Sequence, residues 1–546
     1  MKYDVCIVGS GVGASGVAYT LAEAGKKVIM LERGGFYKEQ DFSKDEIAYC
    51  KREIVTPNLK DFYHTIEDME KGEWVKTPTH VTESTFFNGN IVGGSSNFMS
   101  GFFHRLKPND FRLRSIYGDI EGANVEDWAI SYDELEPYYE KAERVVGISG
   151  QVIPHKHQEP RSTKDFPYPP TDEHPISNLI DESCKSLKIN SQKTPRAVLS
   201  KPKGDRASCY YSNYCGSYGC SSGAKGSARA SLLQPALKTG NLTIKTYALV
   251  TKLNEKNSQV VSAEYIDTKT DKSHKIEAKI FVVAGQAVES CRLLLNSKSK
   301  KFPNGLANNS NQVGKNLIFS GGGAGGGEFD SSNFDLKKLM QEGTFVNRAI
   351  HDWYFTDKMK GGIIEFLFEH ANPISKASKQ RWQNGELIWG AELQAQLVKK
   401  FKQTKKLNFE IFNDWLPTDN CFVSVDPKYR DKYNIPVANI RIGAHPQDVK
   451  VGRFLAKKAE SIMREMGAKN INSSISSYPP PNLQAGGCRF GNDPKTSVLN
   501  RYCQAHEISN LFVTDGSFMP TGGSVPYTWT IYANSFRVGE YILGRV

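Results

Sequence analysis

The chain has 546 residues, 39% of them hydrophobic and 24% charged, with 47 Gly and 25 Pro. That length suggests two to four domains, and that composition excludes disorder, collagen-like and coiled-coil architecture. Seventy Lys and Arg against 59 Asp and Glu give a net charge of +11, spread along the chain without a nucleic-acid-binding motif, and no apolar run reaches the ~20 residues of a membrane span.

Tyr3–Val8 reads as a short buried strand. Gly9-Ser10-Gly11-Val12-Gly13-Ala14 follows, then residues 15–24 as an Ala- and Leu-rich helix ended by Gly25, then residues 27–31 (KVIML) as a second strand running into Glu32. Strand, Gly-rich turn, helix, strand and acid form the dinucleotide fingerprint in the context it requires. Gly9 permits the tight turn and Gly11 lets backbone approach a pyrophosphate. Ala14, in the third glycine position, allows close helix–strand packing. The helix N-terminus offers free N–H groups to phosphates, and Glu32 stands where a carboxylate can accept from a ribose diol. The fingerprint alone does not separate FAD from NAD. The opening residues carry no basic region, long apolar stretch or small-residue cleavage site, so cytoplasm is the default location.

Further along, residues 151–204 are rich in Pro, His, Lys and Ser and read as a surface excursion in which His155, His157 and His174 are solvated. Residues 243–250 read as one strand. The run SGGGAGGGE at 320–328 reads either as a flexible linker or, the favoured alternative, as a flat strand packed closely against another backbone. Residues 391–397 (AELQAQL) alternate as a half-buried strand would, with the basic Lys399, Lys400 and Lys402 after it. Residues 449–467 carry helical periodicity through Val451, Phe454, Leu455 and Ala459.

Several distant segments, in order over nearly the full length, resemble the glucose–methanol–choline (GMC) oxidoreductase family. They are Glu32-Arg33-Gly34-Gly35, then Gly93-Gly94-Ser95-Ser96-Asn97 with Arg105-Leu106-Lys107-Pro108-Asn109-Asp110-Phe111, and WAISYDELEPYYEKAE from Trp128. FVVAGQAVESCRLLLNS from Phe281 and residues 420–436 follow. Gly486-Gly487-Cys488-Arg489-Phe490-Gly491 and NLFVTDGSFMPTGGSVPYTWTI from Asn510 complete the set. The nearest flavour is that of gluconate and other sugar dehydrogenase flavoprotein subunits and of pyranose oxidase. The resemblance implies an α/β, Rossmann-like FAD-binding domain (residues 1–100, 205–320 and 480–546). It also implies an α+β substrate domain on an antiparallel sheet, with surface excursions (residues 101–204 and 321–479). It implies FAD held by Gly9, Gly11, Ala14, Glu32 and Arg33, by Gly93, Gly94 and Asn97 against the flavin ring, by Val250 at the adenine, by Ala284 and Gly285 near the phosphates, and by Asp515 and Gly516. Phe98 stands where pyranose oxidase carries its flavin-linked histidine, so noncovalent FAD is expected.

Cys209, Cys215 and Cys220 are spaced C-x5-C-x4-C, where relatives often carry more cysteines and where sugar dehydrogenases of this superfamily hold a 3Fe–4S cluster. Cluster ligands and reduced, semi-buried thiols are the two readings, and no fourth cysteine or nearby histidine completes a zinc site. At the positions where the family places its catalytic His and its Asn or His, this chain has Leu483 and Pro526, neither able to accept a proton. A local shift to Asn482 or Gln484 supplies no base. Tyr527 and His506 are the candidates for the catalytic role, with His445 a further histidine that could fold inward. The expected function is an FAD-dependent oxidoreductase oxidising a CH–OH group of a sugar, sugar acid or polyol, its electrons passing to a small subunit, another partner or a quinone. The opposing expectations are an oxygen-using oxidase and a flavin-binding member doing non-redox work. Export alongside a signal-bearing subunit leaves the periplasm open.

Overall fold

The computed structural model describes residues 3–47, 55–82, 86–87, 89–341, 343, 346–357, 359–480 and 483–546. Five parallel strands make one sheet, in the order Leu511–Val513, Ala278–Val283, Tyr3–Val8, Val28–Leu31 and Leu242–Lys245. Their residues are near-continuous buried Val, Ile, Leu, Phe and Cys, as a parallel sheet covered on both faces requires. The helix Val12–Glu23 covers one face and packs against the long C-terminal helix Thr528–Leu543. Contact is close because Gly16 and Gly539 carry no Cβ: one at Gly16 would stand 2.7 Å from Ser535 Oγ, and one at Gly539 3.1 Å from Val17 Cα.

A second sheet is antiparallel through Leu317–Asp330, Thr404–Asp414, Gly362–Phe368 and Val346–Ile350, with Lys469–Ile475 and Ser191–Lys193 at its edges. Alternation along Thr404–Asp414 fixes its two faces. Leu407, Phe409 and Ile411 pack on Val451, Leu455, Ala459 and Ile462 of the helix Pro446–Glu465, while Glu410 and Phe412 point the other way, toward the parallel sheet. The glycine run lies inside the strand Leu317–Asp330, bonded on both sides. A Cβ at Gly322 would stand 2.2 Å from Ile411 O and one at Gly323 2.2 Å from Ser474 O, so only glycine lets the three backbones approach this closely.

Three local expectations change. Residues 391–397 belong to a helix, Gly390–Val398, with no buried residue; Ala, Glu, Leu and Gln are strong helix formers, and nothing packs there to favour a strand. Residues 243–250 do not form one strand: the chain breaks at Tyr247 (φ 57°), whose N–H donates to Gly34 O at 3.1 Å, and Ala248–Lys256 joins a separate three-stranded sheet. Residues 151–204 are not wholly a surface excursion. Ile176–Ser186 is a helix whose Ile176 and Ile180 enter the core of the antiparallel sheet, and His174 is buried against Phe368, its Nε2 3.1 Å from Gln341 O.

Candidate active site

A cavity of about 780 Å³ opens where the strands Tyr3–Val8 and Ala278–Val283 end, between the parallel sheet and the free face of the antiparallel one. Binding at the carboxyl ends of parallel strands is the general rule for open α/β sheets. Gly9 has φ +90°, and a Cβ there would stand 2.4 Å from Ala284 O. Gly11 caps the helix Val12–Glu23 without a side chain, leaving the first N–H groups for an anion, and a Cβ built on it meets no protein atom within 4 Å. The space over Gly11 is therefore open to a ligand. Gly13, outside the G-x-G-x-x-A reading, is held for another reason: a Cβ there would strike Thr514 O at 2.4 Å.

Glu32 lines the cavity, with one carboxylate oxygen accepting from Gly34 N (2.8 Å) and the other from the Ser10 hydroxyl (2.6 Å). The same hydroxyl accepts from Gly93 N at 3.0 Å, so Ser10 joins the fingerprint, Glu32 and the 93–94 loop. Burial pushes the Glu32 carboxyl above its ordinary value despite these donors. Arg33 donates to Asn90 Oδ1 at 2.9 Å, lies 4.7 Å over the Phe87 ring, and faces Glu289. Burial alone would raise the Glu289 carboxyl, but Arg292, His64 and Arg33 hold it well below the usual range.

Gly94, Val250, Ala284, Gly285, Asp515 and Gly516 also face the cavity. Ala14, Gly93 and Asn97 do not. Ala14 is buried in the helix; Gly93 abuts Arg229; Asn97 donates to Val92 O (3.0 Å) and Gly94 O (2.9 Å) and so shapes the loop that lines the cavity through Gly94, Ser95 and Ser96. Asp515 is fully engaged by protein donors, the N–H groups of Gln286 and Ser517 and the hydroxyls of Ser290 and Ser517, which makes it the brace of this wall. The volume, the open Gly11, the bare helix terminus and the buried acid together fit a flavin dinucleotide. Phe98, at the wall, carries no nucleophile for a covalent flavin link.

Family models described as GMC oxidoreductase match residues 69–319 and 417–535. The chain is 30% identical over 99% of its length to 2-methyl-1,2-propanediol dehydrogenase of Mycolicibacterium austroafricanum, covering 95% of that protein. This chain belongs to the GMC oxidoreductase family. It is also 26% identical to the fructose dehydrogenase large subunit of Gluconobacter japonicus (100% of this chain, 98% of that one). Gluconate 2-dehydrogenase flavoprotein of Pantoea cypripedii is 24% identical (95% and 90%). Pyridoxine 4-oxidase from Mesorbium loti has the same fold, with a TM-score of 0.62 at 16% identity and 99% coverage of both chains. GMC oxidoreductases bind FAD, and the fingerprint wall is where it fits.

The opposite wall bears on the chemistry. Leu483 and Pro526 both face the cavity, so the family's acid–base positions are occupied here by side chains that hold no proton; Asn482 lies outside the described residues. Gln484 also lines the cavity and donates to Phe86 O at 2.9 Å. Tyr527 reaches the cavity with its hydroxyl buried and unpaired by protein, and burial, then Asp414, hold the phenol well above its ordinary pKa. It is a proton holder rather than a base. His506 is not at the site: it stands outside the cavity with Nε2 3.0 Å from Ser497 Oγ. Nor is His445, whose Nδ1 accepts from Gln447 N at 3.2 Å as the cap of the helix Pro446–Glu465.

The carboxylate that sequence reasoning missed is Glu410. It lines the cavity from the strand Thr404–Asp414, directly opposite Glu365 on Gly362–Phe368, and Ala324 on its other side leaves it room. Burial first, then the nearby Glu365, push its carboxyl up to about 7. Glu365 itself is bound by His104 and by the Thr194 hydroxyl (2.8 Å). The one sequence signal was a lone acid at a cavity-facing register position of an alternating strand, which shows only once the sheet's two faces are known.

Cys209, Cys215 and Cys220 do not line the cavity. Among the described residues no group of three or more His, Cys, Asp or Glu is placed to hold a metal. Instead the buried Lys225 ammonium lies among these thiols, donating to Cys215 O (2.9 Å), Tyr218 O (2.8 Å) and Asn97 O (3.2 Å). Burial pushes the Cys209 thiol up to about 11, whereas at Cys220 burial is outweighed by Lys225 and the Ser222 hydroxyl, and its thiol lies below the ordinary value. The three thiols are thus not grouped as ligands, and the donor set as it stands does not fit a 3Fe–4S cluster.

Proposed function

We propose that this protein is an FAD-dependent dehydrogenase that oxidises a CH–OH group of a sugar, sugar acid or polyol. The observation that carries it is a single cavity joining the dinucleotide wall to a polar patch of the antiparallel sheet, Ser320 and Glu410, with Tyr527 between Pro526 and the C-terminal helix. FAD, held noncovalently, supplies the hydride acceptor. The chain's own part is to bind the substrate hydroxyl, to take its proton on the Glu410 carboxylate, and to hold the oxygen with the Tyr527 hydroxyl, which burial keeps protonated.

Relatives named as the large subunit of fructose dehydrogenase and as the flavoprotein of gluconate 2-dehydrogenase support electron delivery to a partner, with a quinone as the alternative acceptor. We route none through the three cysteines, which are not grouped as metal ligands; an iron and acid-labile sulfide assay on anaerobically purified protein checks this and is expected to be negative. A second reading, a flavoprotein of non-redox function, draws on Leu483 and Pro526 at the usual catalytic positions. Anaerobic mixing with a panel of sugars, sugar acids and polyols decides between them. Bleaching of the flavin by at least one supports the dehydrogenase, and its reoxidation by a quinone but not by oxygen sets it apart from an oxidase. A flavin that no CH–OH compound bleaches overturns the proposal.

A further inference from the structure

Of the fourteen large apolar side chains exposed among the described residues, six lie in one stretch: Ile374, Trp382, Leu387, Trp389, Val398 and Phe401. Trp389 is 80% exposed. The stretch comprises the helix Pro373–Lys379, the short hairpin Trp382–Gln383 with Glu386–Leu387, and the helix Gly390–Val398. Ile388 apart, none of its residues is buried, and it joins neither large core. Its charge is equally concentrated. Between residues 369 and 406 there are eight Lys and Arg against three Glu, a net +5 of the chain's +11. Glu369 is shared by Lys376 (3.3 Å) and Lys400 (3.2 Å), while Lys379, Arg381, Lys399 and Lys402 are exposed.

The root of this projection is fixed. The Glu46 carboxylate accepts from Ile374 N (2.7 Å) and Ser375 N (3.1 Å), and the Tyr218 hydroxyl donates to Asn372 Oδ1 (2.9 Å). That anchor sets Ile47, 74% exposed, beside the same patch. His370, just before the projection, lines the cavity.

We infer that the 373–403 projection is a docking element for the surface of an anionic lipid bilayer, on which it seats the protein with the cavity close by. Exposed Trp, Leu and Ile amid Lys and Arg, with no core of its own, is the composition of an element that lies in a membrane interface: indole rings rest at headgroup depth while ammonium groups meet lipid phosphates. A protein partner is the poorer match, because Lys is depleted in protein–protein interfaces. The inference does not depend on which alcohol is oxidised.

The test uses the full-length flavoprotein and floats it with vesicles of phosphatidylcholine alone or mixed with phosphatidylglycerol. Expected are flotation with the anionic vesicles, reversal by salt, and quenching of tryptophan fluorescence by brominated lipid. Trp382→Ser with Trp389→Ser should abolish the quenching. Removing Lys379, Arg381, Lys399 and Lys402 as Gln should weaken binding about fivefold for each charge. Both variants leave the cavity untouched, so unchanged flavin content and melting temperature verify folding. Absent flotation of a folded wild type, or equal flotation of wild type and both variants, overturns the proposal. So does a wild-type dimer that the tryptophan variant converts to monomer without any vesicle binding, which would assign the face to a second copy.

Discussion

Gly11 and Gly13 sit two residues apart and are held by different constraints. A methyl group on Gly11 meets no protein atom within 4 Å, whereas one on Gly13 strikes the Thr514 carbonyl at 2.4 Å. Gly11→Ala should therefore fold with unchanged apoprotein stability yet purify with far less FAD, its Cβ entering the open space that would receive the cofactor. Gly13→Ala should lose stability in the apoprotein as well, by about 1–3 kcal/mol; paired measurements of flavin absorbance and urea unfolding distinguish them. Glu410 is the other decisive residue. Its raised value near 7 means that the carboxylate form grows as pH rises, so turnover should climb through about pH 7. Glu410→Gln should remove that limb and lower kcat by about 10²–10⁴-fold. The same shift carries the opposite sign for stability. A carboxyl whose folded value is raised stabilises the fold fully below its unfolded value and loses that contribution as pH rises through about 7, so the wild type should lose stability across this window relative to Glu410→Gln.

At the scale of elements, the strand Leu317–Asp330 shows how composition misleads when read alone. A run of six glycines among seven residues looks like a linker, yet it lies in an interior strand of its sheet, paired on both sides, and glycine is needed because neighbouring carbonyls stand where Cβ atoms would be. Gly322, at φ +112°, combines strain with a clash against Ile411 O. Gly322→Ala should cost about 2–4 kcal/mol in urea unfolding, against about 1 kcal/mol for Gly467→Ala, which meets positive φ but open space. The reverse error befell residues 391–397, where alternation suggested a strand. Periodicity reports which face is buried, and in a helix that buries nothing it reports very little.

Across the whole molecule, Lys360 ties the two halves together. It comes from just before the strand Gly362–Phe368 and pairs with Asp110 (2.5 Å) and with Asp414 (2.9 Å) of the next strand, donating also to Ser524 (2.9 Å) beside the C-terminal part of the cavity wall. All four residues are buried. Two carboxylates around one buried ammonium tolerate no loss of the cation. Lys360→Met should cost about 3–5 kcal/mol at neutral pH, and the deficit should shrink toward acid pH as Asp414, whose carboxyl burial holds above its ordinary value, takes up a proton. Urea unfolding at two pH values measures both effects.

The dinucleotide wall was legible in the sequence because its work is local: the tight turn at Gly9, the bare helix terminus after Gly11 and the acid ending the second strand lie within 24 residues, and backbone sterics dictate each. Family membership was legible for a related reason, since short segments in fixed order mark the same fold. The far side of the cavity was not. Glu410, Tyr527 and the fingerprint are each more than a hundred residues apart, and whether an acid faces a cavity, or a histidine such as His506 instead rests on a serine, depends on which sheet face points inward. The burial that tunes Glu410 and keeps Tyr527 protonated exists only after those segments pack. The cysteines make the same point, since their spacing suggests ligands and only the packed chain places a lysine among them. Sequence determined the fold and the cofactor wall through local geometry; tertiary structure decided which side chains at the cavity have the protonation behaviour the proposed reaction needs, because desolvation and opposing charge are properties of neighbours far away along the chain.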